Sequence, residues 1–272
     1  MLPATRSRLI ILALVIVGFA LGIGLVGGTT AGAQQRPRDV VTGLPGYGDI
    51  VIWWGNHATF SIALGDNTQG FMSYNDVIEV DPVANASYRG FNYPTLILIT
   101  DIHPDHFDPA TIARRKTGLA TVIAPAAAKL EGATVLANGE TKKFDRVTID
   151  AVPMYNLKRG PAAGQLYHDK GRGNGYIITM VGKRVYVAGD TECTPEMKGL
   201  QNIDIAFIPM NLPYTMPPSE AAECVKAFKP KIVYPYHYQG SDPKQFAAAL
   251  TGTGIDVRLR DWYSPAAGAA GR

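Results

Sequence analysis

The chain carries almost no surplus charge of either sign. Its 26 lysine and arginine residues face 23 aspartate and glutamate residues, so the formal net charge at pH 7 is +3. Proteins that bind nucleic acid need positive charge to neutralise phosphate groups. The charge balance therefore argues against nucleic acid as a partner and leaves a small-molecule substrate as the expected one.

Cysteine is also scarce, because Cys193 and Cys224 are the only two. A disulfide between them is possible in an oxidising compartment. Cys193 follows Asp190 closely in the chain, so it could instead line a functional site. Spacing alone leaves both interpretations open.

Residues 1–33 are typical of a secretory signal peptide. Arg6 and Arg8 precede an uncharged apolar run over residues 9–26, and Ala31-Gly32-Ala33 offers a cleavage site of small residues. The absence of a cysteine near this site excludes a lipoprotein anchor. Cleavage would remove two arginines and no acidic residue, which takes the net charge from +3 to +1.

The same apolar run is long enough to cross a bilayer, so an uncleaved N-terminal membrane anchor remains an alternative. We therefore expect an exported protein, periplasmic or secreted, that touches a membrane only through this segment. The oligomeric state is not indicated.

Beyond residue 33, the sequence predicts a linker at 34–46, a single domain over 47–264 and a flexible tail at 265–272. Short apolar runs separated by glycine and asparagine predict strands in both halves of the domain. Asp108-Pro109 is a typical helix start, and further helices are predicted at 218–228 and 242–250. Two strand-rich halves that each carry helices predict an α+β fold with four layers, an αββα sandwich.

Potential metal ligands are concentrated in the segment Asp101-Ile102-His103-Pro104-Asp105-His106. The segment connects an apolar strand to the helix at Pro109, so four carboxylate and imidazole groups share one short loop. His168, Asp190 and His237 add three more candidates at the ends of later strands or beside a glycine-rich turn. Imidazole and carboxylate, with one bridging oxygen, are what a pair of borderline divalent ions such as zinc requires.

In order and spacing, these segments resemble the motifs of the metallo-β-lactamase superfamily. The loop matches the His-x-His-x-Asp-His signature, with Asp101 in place of the first histidine. Trp54-Gly55-Asn56-His57 and Tyr214-Thr215-Met216 further resemble the branch of ascorbate-phosphate-lactonase-like hydrolases. The resemblance covers nearly all of the chain after residue 48. It implies the metallo-β-lactamase fold, with metals in the cleft where the sheet edges meet.

The resemblance also implies a dinuclear site, with Zn²⁺ as the expected metal and Mn²⁺ or Fe²⁺ as alternatives. Asp101, His103 and His168 would hold the first ion, Asp105, His106 and His237 the second, and Asp190 would bridge the two. Such a pair lowers the pKa of a bound water toward neutrality. Asp105 would have the additional catalytic role of orienting this water, so that no serine or cysteine nucleophile is needed.

Asp101 departs from the family pattern. A carboxylate is harder than an imidazole and adds a negative charge beside the nucleophile, which shifts the first site toward Mn²⁺ or Fe²⁺. A single-ion enzyme, filled only at the second site, is an alternative. Replacing Asp101 with histidine is expected to retain two ions and to favour zinc.

Weaker candidates could contact a substrate: His57, Tyr155, Asn156, Lys158 and Tyr214. A lone histidine is more often a satisfied structural residue, and Tyr214 could belong to a packed turn. The cations Lys158, Arg159, Lys170 and Arg172 could attract an anionic substrate or could be solvated surface charges.

The expected function is that of a metal-dependent hydrolase that cleaves a small ester, lactone or phosphodiester. A non-hydrolytic member of the same fold, which uses its metals for binding or for iron redox chemistry, is the alternative. β-Lactam hydrolysis is a narrower alternative, which the predicted export suggests. The branch motifs argue against it.

Overall fold

The structure, a computed structural model, describes residues 38–43, 48–66, 73–88, 90–118 and 120–263. The predicted signal peptide or anchor at 1–33 and the predicted tail at 265–272 lie outside these ranges. Within them, no helix is long and apolar enough to cross a membrane.

Two sheets of seven strands each dominate the described residues. The first contains β1 (Asp39–Val41), β2 (Asp49–Asn56), β3 (Thr59–Asp66), β4 (Ser73–Val80), β5 (Leu96–Leu98), β6 (Thr121–Ala124) and β7 (Thr134–Val135). The second contains β8 (Thr141–Lys143), β9 (Val147–Met154), β10 (Gly173–Met180), β11 (Lys183–Val187), β12 (Ile205–Pro209), β13 (Ile232–Tyr236) and β14 (Asp256–Val257).

Both sheets follow the same plan. Neighbouring strands pair antiparallel from β1 to β4 and parallel from β4 to β7. In the second sheet, strands pair antiparallel from β8 to β11 and parallel from β11 to β14. Each half of the chain therefore ends in a run of parallel strands whose carboxyl ends lie at one edge.

The helices are short and lie between or after the parallel strands. They are α1 (Pro109–Arg115), α2 (Pro195–Lys198), α3 (Pro218–Phe228) and α4 (Pro243–Ala249), with a 3-10 turn at Ala126–Ala128. As Asp108-Pro109 predicts, Asp108 caps α1: its carboxylate accepts the N–H groups of Ala110 at 3.1 Å and Thr111 at 3.2 Å. These two hydrogen bonds satisfy N–H groups that have no partner inside the helix.

Alternation along the strands places the main core between the two sheets. Ile50 and Ile52 of β2 share one buried cluster with Tyr176 and Ile178 of β10. The intervening residue of β2, Val51, belongs to a different cluster on the outer face. Side chains of a strand alternate between faces, so each sheet has one face toward the other sheet and one face outward.

Helices cover the outward faces. Ile177 of β10 packs in one cluster with Ala222 and Val225 of α3, while Ile97 of β5 packs with Ile112 of α1. The order of layers is therefore helix, sheet, sheet and helix. The predicted αββα sandwich is confirmed.

Part of the predicted linker at 34–46 is a strand. Residues 39–41 form β1, in which Val41 pairs with Ile50 and is buried in the core between the sheets. Two apolar residues in a row were too short a run to indicate a strand. The short edge strands β8 and β14 were not predicted either, because β8 contains no apolar residue and β14 only one.

Cys193 and Cys224 form a disulfide that joins the segment before α2 to α3. Both residues are buried, and their Cα atoms lie 5.6 Å apart, a separation typical of a disulfide. Of the two interpretations left open, the bridge is correct, and neither sulfur is available as a thiolate ligand.

The end of α1 is fixed to β4 by a buried ion pair. Arg115 donates through Nε to Glu79 Oε1 at 3.0 Å and through Nη2 to Oε2 at 2.7 Å, and the Glu79 side chain is 0% exposed. Burial raises the pKa of Glu79, and the arginine opposes this effect.

We expect Arg115→Met to lower the free energy of unfolding by about 3–5 kcal/mol, because it leaves a buried carboxylate without its partner. Urea denaturation measures the change. Lys226→Met, which breaks the exposed Lys226–Glu223 pair on α3, is the control and should cost at most about 1 kcal/mol. Similar losses in both variants would contradict the role given to burial.

Candidate metal centre

Loops from both sheets meet at one edge of the sandwich. The segment 101–106 follows β5, Asp190 follows β11 and His237 follows β13, each of which lies in the parallel part of its sheet. His168 lies between β9 and β10, and His57 lies in the turn between β2 and β3. Carboxyl ends of parallel strands are the usual position for functional loops in open sheets.

Two glycines allow the loops of the two sheets to approach each other. The N–H of Asn174 donates to the carbonyl oxygen of Thr100 at 2.8 Å, and a Cβ atom at Gly173 would lie only 2.6 Å from that oxygen. Gly189, directly before Asp190, has φ +66°, and a Cβ atom there would overlap Met154. Larger residues at either position would push the donor loops apart.

A first group of candidate metal donors consists of Asp101, His103, His168 and Asp190, whose potential ligand atoms lie within 4.8 Å of one another. Asp101 Oδ2 is 3.1 Å from His103 Nδ1 and 3.8 Å from His168 Nε2. His168 Nε2 is also 3.2 Å from Asp190 Oδ2. These are the residues that the resemblance assigns to the first ion and to the bridge.

A second group forms around His237. It includes His106 and Asp190, and His237 also groups with Asp105 and His57. His237 Nε2 lies 3.1 Å from His106 Nε2 and 3.3 Å from Asp105 Oδ2. His106 Nε2 lies 3.3 Å from Asp190 Oδ2. Asp190 therefore belongs to both groups, which is the position expected of a bridging carboxylate.

The spacing of the donor atoms fits divalent ions. Metal–ligand bonds of about 2.0–2.1 Å in a tetrahedral arrangement place the ligand atoms roughly 3.3–3.4 Å apart. The separations above, from 3.1 to 3.8 Å, surround this value. Three buried atoms among these donors, His168 Nε2, Asp190 Oδ1 and His237 Nδ1, make no hydrogen bond within the described structure. Buried polar atoms without partners lower the stability of the fold, and bound ions would supply partners for some of these atoms.

Two carboxylates of this cluster, Asp190 and Asp105, have lowered pKa values that favour the ionised form. Burial raises the pKa of Asp190, but the histidines around it, His237 and His106 foremost, bring the pKa well below its usual range. Burial likewise opposes ionisation of Asp105, and hydrogen bonds from His237 and His57 outweigh it and lower its pKa. Ionised carboxylates are ready to bind a cation without first losing a proton.

Asp81 and Thr100 support His106 from behind, and neither was among the predicted residues. Asp81 Oδ2 lies 2.8 Å from His106 Nδ1 and accepts the Thr100 hydroxyl at 2.6 Å. Such a carboxylate fixes the tautomer and ring orientation of a metal-binding histidine. The available signal was the position of Asp81 directly after the buried end of β4. Asp190 likewise lies shortly after a buried strand, β11.

Asn156 has the corresponding role for His168. Its Oδ1 lies 2.5 Å from His168 Nδ1, and its Nδ2 donates to the carbonyl oxygen of Tyr214 at 2.8 Å. The following residues are anchored by the buried Glu192, which accepts the N–H groups of Leu157, Lys158 and Arg159 at 2.9–3.1 Å. Asn156 thus supports a donor, although it was predicted only as a substrate contact.

The other weak candidates occupy different environments. His57 lies inside the cluster, with Nε2 3.1 Å from Asp105 Oδ2 and Nδ1 2.7 Å from the Tyr263 hydroxyl. Burial lowers the pKa of His57 more than Asp105 raises it. Tyr214 is 44% exposed, with its ring 4.9 Å from that of Tyr167. Tyr155 donates to Glu196 at 2.8 Å, and its ring lies 4.8 Å from the Lys170 ammonium nitrogen.

Comparison with known proteins agrees with this geometry. The family profile described as "Beta-lactamase superfamily domain" matches residues 52–237, which include His57 and all seven predicted ligands. The chain belongs to this superfamily. The resemblance stated from the motifs is confirmed.

Relatives of this superfamily member are named metal-dependent hydrolases. The chain is 32% identical over 234 residues to the UPF0173 metal-dependent hydrolase of Thermoplasma acidophilum. The matched region covers 80% of this chain and 98% of that relative. The chain therefore belongs to the UPF0173 family. The crystal structure of a metal-dependent hydrolase from Parabacteroides distasonis matches with a TM-score of 0.74 at 40% identity, over 83% of this chain and 98% of that one.

A more distant structure shares the fold. The metallo hydrolase of Ignicoccus hospitalis matches with a TM-score of 0.60 at 24% identity, over 78% of this chain and 95% of that one.

Proposed function

We propose that this superfamily member is a hydrolase that uses two divalent ions, with zinc the expected metal, to cleave small uncharged esters or lactones. The convergence of the seven predicted donors carries the proposal. Asp190 is shared by the first group and by the group of His106 and His237, and His237 also groups with Asp105. When bound, two ions activate a water and polarise the electrophile. The names of the relatives support hydrolysis. From the predicted export, we propose that the activity lies outside the cytoplasm.

Asp105 and His103 are the two predicted ligands at which the cluster is open to solvent. Their side chains are each 40% exposed, whereas the side chains of the other five are at most 3% exposed. A substrate would therefore reach the cluster from the side of Asp105. Its carboxylate, held by His57 and His237, is ionised and can accept a hydrogen bond from the attacking water.

The cations near the site argue against an anionic substrate, because each has a carboxylate partner. The pairs are Lys158–Glu220 at 3.4 Å, Arg159–Glu192 at 2.8 Å, Lys170–Glu196 at 2.6 Å and Arg172–Asp101 at 2.7 Å. Arg159 also contacts Glu220 at 2.9 Å. Compensated charges produce little field at the mouth of the cleft. Among the three substrate classes that the sequence left open, we therefore favour esters and lactones over phosphodiesters.

Apolar side chains on the loops beside the donors favour the same substrates. Leu157 is 48% exposed and follows Asn156, which contacts His168, while Leu212 is 40% exposed and lies two residues after Met210. The N–H of Met210 donates to the carbonyl oxygen of His237 at 3.2 Å. Together with Tyr214, these residues offer apolar surface to an ester or lactone that carries an alkyl or aromatic group.

The test combines metal analysis with matched substrates. The purified protein should contain close to two ions per chain and should hydrolyse an uncharged aryl ester or a lactone with a higher kcat/KM than bis-nitrophenyl phosphate. Glu220→Gln frees Lys158 and leaves Arg159 paired with Glu192 alone. We therefore expect it to raise the kcat/KM for the phosphodiester by about 2–5-fold, while that for the lactone stays unchanged.

Glu223→Gln is the control, since Glu223 lies on the same helix but pairs with Lys226. A parent enzyme that prefers the phosphodiester would disprove the substrate class while leaving the hydrolase assignment intact. Absence of both metal and turnover would disprove the hydrolase assignment. Bound iron with an absorbance change on reduction would instead favour the redox alternative, and nitrocefin turnover would favour β-lactam hydrolysis.

A further inference from the structure

Asp101, the ligand position that departs from the family pattern, is paired with an arginine. Arg172 donates through Nε to Asp101 Oδ1 at 3.1 Å and through Nη2 to Oδ2 at 2.7 Å. Its Nη1 donates to the carbonyl oxygen of Tyr167 at 2.8 Å, which fixes the guanidinium in place. The Asp101 side chain is 0% exposed, and the arginine is 20% exposed. A bidentate pair of this kind is both strong and directional.

The oxygen that contacts Arg172 Nη2 also faces the first donor group. Asp101 Oδ2 lies 3.1 Å from His103 Nδ1 and 3.8 Å from His168 Nε2. An ionised carboxylate oxygen has two lone pairs, so it can accept a hydrogen bond with one and bind an ion with the other. Arg172 therefore does not prevent Asp101 from being a ligand.

The pair also changes the charge of the site. The histidine that usually occupies this position binds a metal as a neutral imidazole, whereas Asp101 alone adds one negative charge. Arg172 contributes one positive charge, and an arginine does not lose its proton in a protein. The sum over Asp101 and Arg172 is therefore zero, as it is for the imidazole.

We propose that Asp101 and Arg172 together replace the neutral histidine, and that Arg172 is the positioning residue that sets the metal affinity of the first site. This inference rests on the proposed two-ion site. The extra negative charge expected from the sequence is cancelled, so the pair keeps the first site suited to zinc. Manganese or iron is no longer favoured on grounds of charge.

The pair also reverses the expectation for Asp101→His. With Arg172 still present, the new imidazole would face an unpaired guanidinium, and the site would carry one surplus positive charge. We expect Asp101→His to bind its weaker zinc ion at least about 10-fold less tightly than the parent and to retain one ion in a chelator-buffered solution. Asp101→His combined with Arg172→Met removes the surplus charge and should recover two ions.

The readout is the zinc content by elemental analysis and the affinity of the weaker ion by chelator competition, neither of which depends on turnover. Asp101→His with Lys170→Met is the matched control. Lys170 lies two residues after His168 but pairs with Glu196 rather than with a donor, so this double variant should still hold one ion. Circular dichroism and urea denaturation verify that each variant is folded.

Two results would overturn the proposal. One is parent-like binding of two zinc ions by Asp101→His, and the other is a lack of recovery when Arg172→Met is added. If the Asp101 variants do not fold, the affinity of the weaker ion is compared between Arg172→Lys and Arg172→Met, each made in the parent. The Arg172→Lys variant keeps the positive charge and should bind this ion as the parent does, whereas the Arg172→Met variant should bind it about 10-fold more tightly. Equal affinities in these two variants would contradict the role of the charge.

If the protein binds no metal at all, the proposed function fails and this inference fails with it. Binding of two ions without the expected coupling between positions 101 and 172 would disprove only the inference.

Discussion

Asp190→Ala should lower kcat/KM at least about 10³-fold, which corresponds to about 4 kcal/mol of lost transition-state stabilisation. The reason is geometric. Asp190 Oδ2 lies 3.3 Å from His106 Nε2 and 3.2 Å from His168 Nε2, so one carboxylate serves both donor groups. Without it, the two groups are no longer connected, and we expect one ion or none to remain in the purified protein.

The fold should survive this substitution, because the core between the sheets and the three outer clusters do not involve Asp190. Far-UV circular dichroism and a cooperative urea transition check this point. Asp169→Ala is the control: it removes a carboxylate next to His168 that belongs to neither donor group, and it should keep both ions and full turnover. Parent-like metal content and turnover in Asp190→Ala would show that the assignment of the centre is wrong.

Removal of the metal by a chelator should abolish turnover and lower the thermal stability. Each ion that binds only the folded chain stabilises it by about 2.7 kcal/mol at a free concentration 100 times the Kd. For a domain of this size, 1 kcal/mol corresponds to roughly 2–4 °C in Tm, so we expect a decrease of about 5–11 °C for each ion removed. The buried donor atoms that lack hydrogen bonds account for the direction of this change, since bound ions would satisfy some of them.

Calorimetry with and without chelator measures the shift, and addition of Zn²⁺ or Mn²⁺ should restore both Tm and turnover. The Asp190→Ala variant supplies the comparison, because a protein that has already lost its ions should show a much smaller shift. Full turnover in the chelated parent would contradict a metal-dependent mechanism.

The sequence was most informative where one short segment carried several donors. Four carboxylate and imidazole groups in the segment 101–106 have few structural explanations, and a loop between a buried strand and a capped helix places them at a strand end whatever the details of packing. His168, Asp190 and His237 could be added because each ends a strand or adjoins a glycine-rich turn. Alternating apolar residues likewise predicted most strands, since burial of one face imposes a period of two.

The predictions were weakest for contacts between residues far apart in the chain. Arg172 was considered as a cation for an anionic substrate or as a solvated surface charge, yet it is paired with Asp101. Asp81 was not considered, although it contacts His106. Nothing in the local sequence around either residue indicates its partner. The disulfide was undecided for the same reason, because a spacing of 31 residues is compatible with both a bridge and two separate thiols.

The sequence by itself therefore determined the type of fold and the superfamily, and it named the candidate donors. These properties depend on local patterns: apolar periodicity, loop position and the chemistry of single side chains. The tertiary structure decided which donors share a group, which carboxylates are compensated and which cations remain available to a substrate. Those properties depend on distances between segments, because the charge of a buried site is the sum over residues that only folding brings together.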